Sequence, residues 1–198
     1  MSNDQPAPTK IPSDMKGVIF LMVLFVGSLF LNVVEAWKVK LLEASVRRAS
    51  QIESLAPGTV VPTFTAFDLE GKKVTIDFAG HLPTVLYVFV PSCPWCARNL
   101  PNIQSLVHSR RDAYRFIGIS LSDLQLKEYL AENSLGFPVY TNVGREVMST
   151  LRLANTPQTL VVSTDGKVLR NWVGAYGEGV RSEIESFFDA RLPGLTKW

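Results

Sequence analysis

Cys93 and Cys96 are the only cysteines in this 198-residue chain, and they frame the motif Cys93-Pro94-Trp95-Cys96. Backbone N–H groups at a helix N-terminus are unpaired, and the dipole there favours negative charge. A thiol at that point ionises below the free value of about 8.5. The thiolate is the species that attacks a disulfide. A second cysteine one turn further in can attack the mixed disulfide and release product. This pattern assigns Cys93 as nucleophile and Cys96 as resolving thiol. Pro94 pre-sets helical geometry in the first turn, and Trp95 offers an apolar lip to a partner protein.

Two other readings compete for a lone CxxC: half a zinc site and a chance pair. Zinc takes four ligands, and the chain offers only His81 and His108 besides the cysteines. His108 lies twelve residues beyond Cys96 on the same expected helix, about 18 Å along its axis. No metal site and no cofactor are expected. A disulfide-stapled secreted fold would carry more cysteines at wider spacings.

A second feature is Asn155-Thr156-Pro157-Gln158-Thr159, directly before an expected strand. Proline there is either ordinary punctuation or a cis-proline, a feature confined almost entirely to X-Pro bonds. Beside a redox pair, a cis-proline would set the Thr156 backbone against the sulfurs. An extended client segment could pair with it as in strand addition. Trp95, Thr156 and Pro157 are therefore the candidate substrate-binding residues.

The positioning elements follow from pattern. Thr84 to Val90 is a continuous apolar run, the mark of a strand covered on both faces. Pro91-Ser92 ends it, and a helix follows with apolar positions Ala97, Leu100, Ile103 and Val107, kinked at Pro101. Upstream, Val60–Phe67 and Lys73–Phe78 read as strands around the turn Asp68–Gly71. Downstream come strand Tyr114–Ser120, helix Asp123–Ser134, a short strand Val139-Tyr140 and helical turns at Glu146–Leu151. Strands Thr159–Ser163 and Val168–Val173 flank the hairpin signal Asp165-Gly166. Helix Gly177–Leu192 closes the chain, with Val180, Ile184, Phe187 and Phe188 on one side. The order β-β-β-α-β-α-β-α-β-β-α implies a three-layer α/β domain with a mixed sheet.

Residues 17–34 carry no charge and span about 27 Å as a helix, close to a bilayer core. No polar face exists at helical spacing, which argues against a buried helix of a soluble domain. A signal peptide cleaved near Val34-Glu35-Ala36 is the rival reading, but its apolar core would be shorter. The organisation expected is a disordered tail (1–14), a transmembrane anchor (15–36), a helical stalk (37–55) and a globular domain (56–198). Val39, Leu42, Val46 and Ala49 could form a self-association seam, but they make fewer than the three or four heptads a coiled coil needs. Lys10 and Lys16 precede the span, whereas Lys38, Lys40, Arg47 and Arg48 follow it. Those charges alone favour a cytoplasmic domain, yet long domains translocate largely regardless of them. The net charge of +2, with no basic cluster, gives no support for nucleic-acid binding.

From about residue 56 onward the chain resembles the thioredoxin superfamily. Within it, the chain is similar to the membrane-anchored, periplasm-facing reductases of the TlpA/ResA/CcmG type. The resemblance rests on Gly58, Val61-Pro62-Thr63-Phe64, Asp68 and Gly71, then on Phe89 with Cys93-Pro94-Trp95-Cys96 and Pro101. It continues through Phe137-Pro138-Val139, Thr156-Pro157-Gln158-Thr159 and Asp165-Gly166-Lys167. It implies a thioredoxin fold with an N-terminal β extension and a central insertion around Phe137–Asn142. It further implies that Pro157 is cis and Cys93 is the exposed thiol. The activity implied is reduction of disulfides in extracytoplasmic protein clients, with a membrane thiol carrier as electron donor. The address implied is the bacterial inner membrane, single-pass, with the domain facing the periplasm.

Two departures stand out. The cytochrome-maturation reductases carry a glutamate where this chain has Asn99, and thioredoxins a buried aspartate where it has Tyr87. Either carboxylate can relay protons for the buried thiol, so Cys96 is left without an obvious base. Three alternative functions stand beside the reductase: a maturation factor for one client enzyme of the methylamine-utilisation type, a peroxiredoxin-like peroxidase, and a non-catalytic docking module. Val90 stands where a peroxidatic centre has Thr or Ser. Copper-delivery relatives use CxxxC plus a distant histidine, and neither is present.

Overall fold

The computed structural model describes residues 13–197, with the backbone alone described for 13–17 and 43–53. Most of the expected N-terminal tail, residues 1–12, lies outside the described residues. The chain divides into a helical unit ending at Ala49 and a larger unit beginning at Ser50.

Helix α1 runs unbroken from Ser13 to Glu53, through the range expected for the anchor (15–36) and most of that expected for the helical stalk (37–55). No proline lies between those ends to interrupt it. Its segment Val18–Leu42 is 25 residues of mean hydropathy 2.4, with none of it buried. That is about 37 Å of helix, long and apolar enough to cross a bilayer. The side chains of Val46 and Ala49, half of the possible seam, lie outside the described residues.

In the larger unit, β1 (Phe64–Phe67) and β2 (Lys73–Ile76) form an antiparallel hairpin. β1 is shorter than the expected strand Val60–Phe67. Pro62 has no N–H to give a ladder, and Val60 makes only an isolated bridge to Lys167. A mixed five-stranded sheet follows in the order β5-β4-β3-β6-β7. Its strands are β3 (Thr84–Phe89), β4 (Arg115–Ser120), β5 (Val139–Tyr140), β6 (Gln158–Val162) and β7 (Val168–Val173). β3, β4 and β5 are parallel, whereas β6 runs antiparallel to both β3 and β7. All six residues of β3 are buried, as its unbroken apolar run predicts.

Four helices complete the unit: α2 (Pro94–Arg110), α3 (Leu126–Glu132), α4 (Arg145–Thr150) and α5 (Glu178–Phe188). α3 is five residues shorter than the expected Asp123–Ser134, because Gln125 enters it in a left-handed conformation, φ 57°. Alternation along β3 divides the core. Val85, Tyr87 and Phe89 face α2, α3 and α5, together with Ile103, Leu106, Ile184 and Phe188. Leu86 and Val88 face the β1–β2 hairpin and α4, together with Phe64, Phe78, Leu160 and Val162. The unit is a three-layer α/β domain with a β extension, as its element order implies.

Candidate active site

β3 ends at Phe89, and Val90-Pro91-Ser92 leads into α2. The Cys93 N–H donates to Val90 O at 3.0 Å, which turns the chain toward the helix. Cys93 is the N-cap of α2 and Pro94 its first residue. The Cys96 N–H donates to Cys93 Sγ at 3.3 Å. The sulfur thus takes the place that a Ser or Asp oxygen takes in an ordinary cap.

The antiparallel register pairs Val88 with Gln158 and Tyr87 with Thr159. This brings the residues before β6 to the end of β3, beside the cysteines. The Thr156–Pro157 peptide is cis. Thr156 O accepts from the Cys93 thiol at 3.6 Å, and Gly174 N–H holds Pro157 O at 2.8 Å. Thr156 is half-buried and Pro157 is buried, so Thr156 is the accessible member of the cis pair. Trp95 is 48% exposed, with the Arg98 guanidinium 4.7 Å from its ring centroid.

The two thiols sit in opposite electrostatic settings. Burial raises the Cys93 pKa, but hydrogen bonds outweigh it: from the Cys96 thiol, from the Thr156 side chain and from the N–H groups of Cys96 and Trp95. The net effect is a lowered pKa. Cys96 is fully buried. Burial and its hydrogen bond to Cys93 push it up to about 12. Both thiols are free. Among the described residues no group of three or more His, Cys, Asp or Glu side chains could hold a metal.

α2 continues through Pro101 to Arg110. Its buried face differs from the one expected from apolar spacing. Ala97 is exposed and Leu100 half-buried, whereas Cys96, Asn99, Asn102, Ile103, Leu106 and Val107 are buried. Polarity misleads here because both asparagines find partners inside. Asn99 Oδ1 accepts from Asn102 Nδ2 and from Tyr176 N–H, each at 3.1 Å. Asn102 Oδ1 accepts from Gly194 N–H at 2.8 Å. Tyr176, fully buried, shares a 2.6 Å hydrogen bond with Thr159. Tyr129, on α3, packs on Phe89 with ring centroids 5.5 Å apart, close enough to both cysteines for their charges to raise its pKa, after burial. Sequence reasoning singled out Tyr87 and Asn99 but not Tyr129, Asn102 or Tyr176. No local pattern links residues 77 and 92 positions apart.

The AhpC/TSA family profile matches residues 57–170, more than half of the chain. The thiol-disulfide oxidoreductase ResA of Bacillus cereus is 26% identical over 148 residues, covering 73% of this chain and 83% of that protein. The methylamine utilization protein MauD of Methylorubrum extorquens is 28% identical over 143 residues, covering 70% and 65%. Among solved structures, the thioredoxin domain of a thiol-disulfide oxidoreductase from Bacteroides vulgatus superposes with a TM-score of 0.57 at 22% identity. It covers 68% of this chain and 99% of that one, and shows the same fold. The chain belongs to the AhpC/TSA family, and its cysteine pair stands at the head of α2 on a thioredoxin fold.

Proposed function

We propose that this protein is a membrane-anchored thiol–disulfide oxidoreductase that reduces disulfides of extracytoplasmic protein clients through Cys93 and Cys96. The observation that carries the reading is the contrast between the two thiols: one half-exposed with a lowered pKa, the other buried and raised to about 12. Such a pair presents one thiolate and keeps its second thiol in reserve. The Cys93 thiolate attacks a client disulfide and forms a mixed disulfide, releasing a client thiolate. Cys96 gives its proton to that departing client thiolate and attacks Cys93 Sγ, releasing the second client sulfur as thiolate. Two electrons pass to the client, and the enzyme is left as the Cys93–Cys96 disulfide. A membrane thiol carrier returns it to the dithiol. Trp95 and Thr156 flank the exposed sulfur and contact the client, with Pro157 shaping the loop. Likeness to ResA supports the reductase reading, and α1 supplies the anchor.

Trapping with Cys96→Ser tests this directly. Mixed disulfides with extracytoplasmic proteins should accumulate through Cys93. Exclusively cytoplasmic partners would reverse the orientation. A reduction potential near −120 mV, that of a strong oxidant, would reverse the direction of electron flow. Likeness to MauD favours a second reading, service to one client enzyme, and a single trapped partner would select it. Peroxide consumption by the reduced protein, without a protein disulfide, would select the peroxidase alternative.

A further inference from the structure

Behind Cys96 the core holds polar atoms with no partner. Tyr87 Oη, Tyr129 Oη and Asn99 Nδ2 are buried without a full hydrogen-bond partner, although Asn99 lies close enough to Tyr87 to lower its pKa in part. Native cores leave few such groups unpaired. Both tyrosines lie close enough to Cys96 for its charge to raise their pKa. Asn99 is one turn beyond Cys96 on α2, and Tyr87 shares the core cluster of Cys96, with Tyr129 packed against it. Tyr87 and Tyr129 are linked through Phe89, whose ring lies 5.7 Å from one and 5.5 Å from the other.

The orientation of Asn99 is fixed by its surroundings. A backbone N–H can only donate, so the atom facing Tyr176 N must be oxygen. The same logic fixes Asn102, whose oxygen faces Gly194 N. Its Nδ2 then donates to Asn99 Oδ1. Both acceptor positions of Asn99 are occupied, and its NH₂ is left to the side of Tyr87. The phenols likewise keep their protons. Burial, then the charge of Cys96, raises Tyr87 well above its usual value, and the same two causes bring Tyr129 to about 12. The charges acting on Tyr87, Tyr129 and Cys96 come from one another and from Cys93 and Tyr176. Every unpartnered group at this site is therefore neutral and keeps a proton to donate.

We propose that Tyr87, Tyr129 and Asn99 form a neutral, hydrogen-bond-donating cradle that holds the Cys96 thiolate during resolution, in place of a carboxylate. The proposal rests on the roles assigned above, Cys93 attacking and Cys96 resolving. In the mixed disulfide, the Cys96 proton passes outward to the departing client thiolate, which leaves as a thiol. The sulfur that remains is anionic and accepts hydrogen bonds from the two phenols and the amide. It then attacks Cys93 Sγ, the bond to the client breaks, and the second client sulfur departs as thiolate. No oxidant or reductant beyond the client enters. A carboxylate would act as a base but would also repel the sulfur once ionised. A neutral cradle stabilises the sulfur without that repulsion.

Stopped-flow reaction of the reduced full-length protein with 5,5′-dithiobis(2-nitrobenzoate) separates the two steps. The first nitrothiobenzoate released reports attack by Cys93, and the second reports resolution by Cys96. Tyr87→Phe and Tyr129→Phe should each leave the first phase within about twofold. Each should slow the second about tenfold and shift its pH profile about one unit to the alkaline side. Melting temperature should hold or rise, because each change removes an unpaired buried hydroxyl. A second phase unchanged in rate and pH profile in both variants overturns the proposal. So does equal slowing of both phases with a lowered melting temperature. Loss of the first phase on Cys96→Ser rather than Cys93→Ser would overturn the roles on which the proposal stands.

Discussion

The two faces of the five-stranded sheet are built from the same strands to different ends. Odd positions of β3 carry Val85, Tyr87 and Phe89 toward α2 and α5, where Cys96, Asn99, Asn102, Thr159 and Tyr176 are also buried. Even positions carry Leu86 and Val88 toward the hairpin, among Ile117, Ile119, Leu160 and Val162. Gln158 is a polar exception on the β6 positions of that second face, paired with Asn171 at 3.1 Å. One face is packed for stability, and the other holds polar atoms that packing alone would have excluded. The period of two along a strand lets one element serve both.

Substitutions can break or sharpen this contrast. The largest effect on function is expected from Cys93→Ser. Disulfide reduction, followed as nitrothiobenzoate release or insulin precipitation, should fall to background while the unfolding midpoint in urea stays put. Leu160→Ala, on the aliphatic face, should do the reverse. Leu160 is fully buried, so the loss should be about 2–5 kcal/mol of unfolding free energy, with the pH profile of thiol alkylation unmoved. A stable Leu160→Ala protein with altered thiol chemistry would show that the faces are not separable.

Gly118 tests the boundary. It lies beside Tyr87 in the β3–β4 register. A Cβ there would stand 2.9 Å from Val139 Cγ2 and 3.1 Å from Phe137 Cε2. The β-branched Val139 cannot swing away, so Gly118→Ala should cost about 1–3 kcal/mol by overpacking, read in the same urea titration. A pH series of iodoacetamide labelling should show Cys93 reacting with a midpoint below that of a free thiol, since its thiolate is favoured, and Cys96 silent until far more alkaline pH. Simultaneous labelling of both would erase the contrast between the thiols. The smallest effect belongs to Lys167→Ala, whose 2.8 Å pair with Asp165 is more than half exposed on both sides. Its melting temperature should be indistinguishable from that of the parent.

Much of the fold was legible because it is written locally. The run Thr84–Val90 announced β3, Asp165-Gly166 announced the last hairpin, and Val180, Ile184, Phe187 and Phe188 marked the inner side of α5. The cysteine pair and Thr156-Pro157 were legible as chemistry in the same way. The buried face of α2 was not. An asparagine can be buried only where distant partners await it, and Tyr176 N and Gly194 N belong to segments far along the chain. Apolar spacing therefore pointed to Ala97, a residue left in solvent, and passed over Asn102. Nor did spacing indicate Tyr129, whose meaning lies in its neighbours across the fold rather than along the helix.

The segment after α5 returns to the head of the reactive helix. Gly194 N–H caps Asn102, while the Thr196 backbone exchanges hydrogen bonds with Arg98 through its N–H and its carbonyl. In biosynthetic time this means that the helix bearing the thiols is made early and supported late. A nascent chain that has reached Phe188 has its cysteines but not the donor for Asn102 Oδ1. The same dependence bears on handling the protein. A deletion after Ala190 would remove a brace of α2.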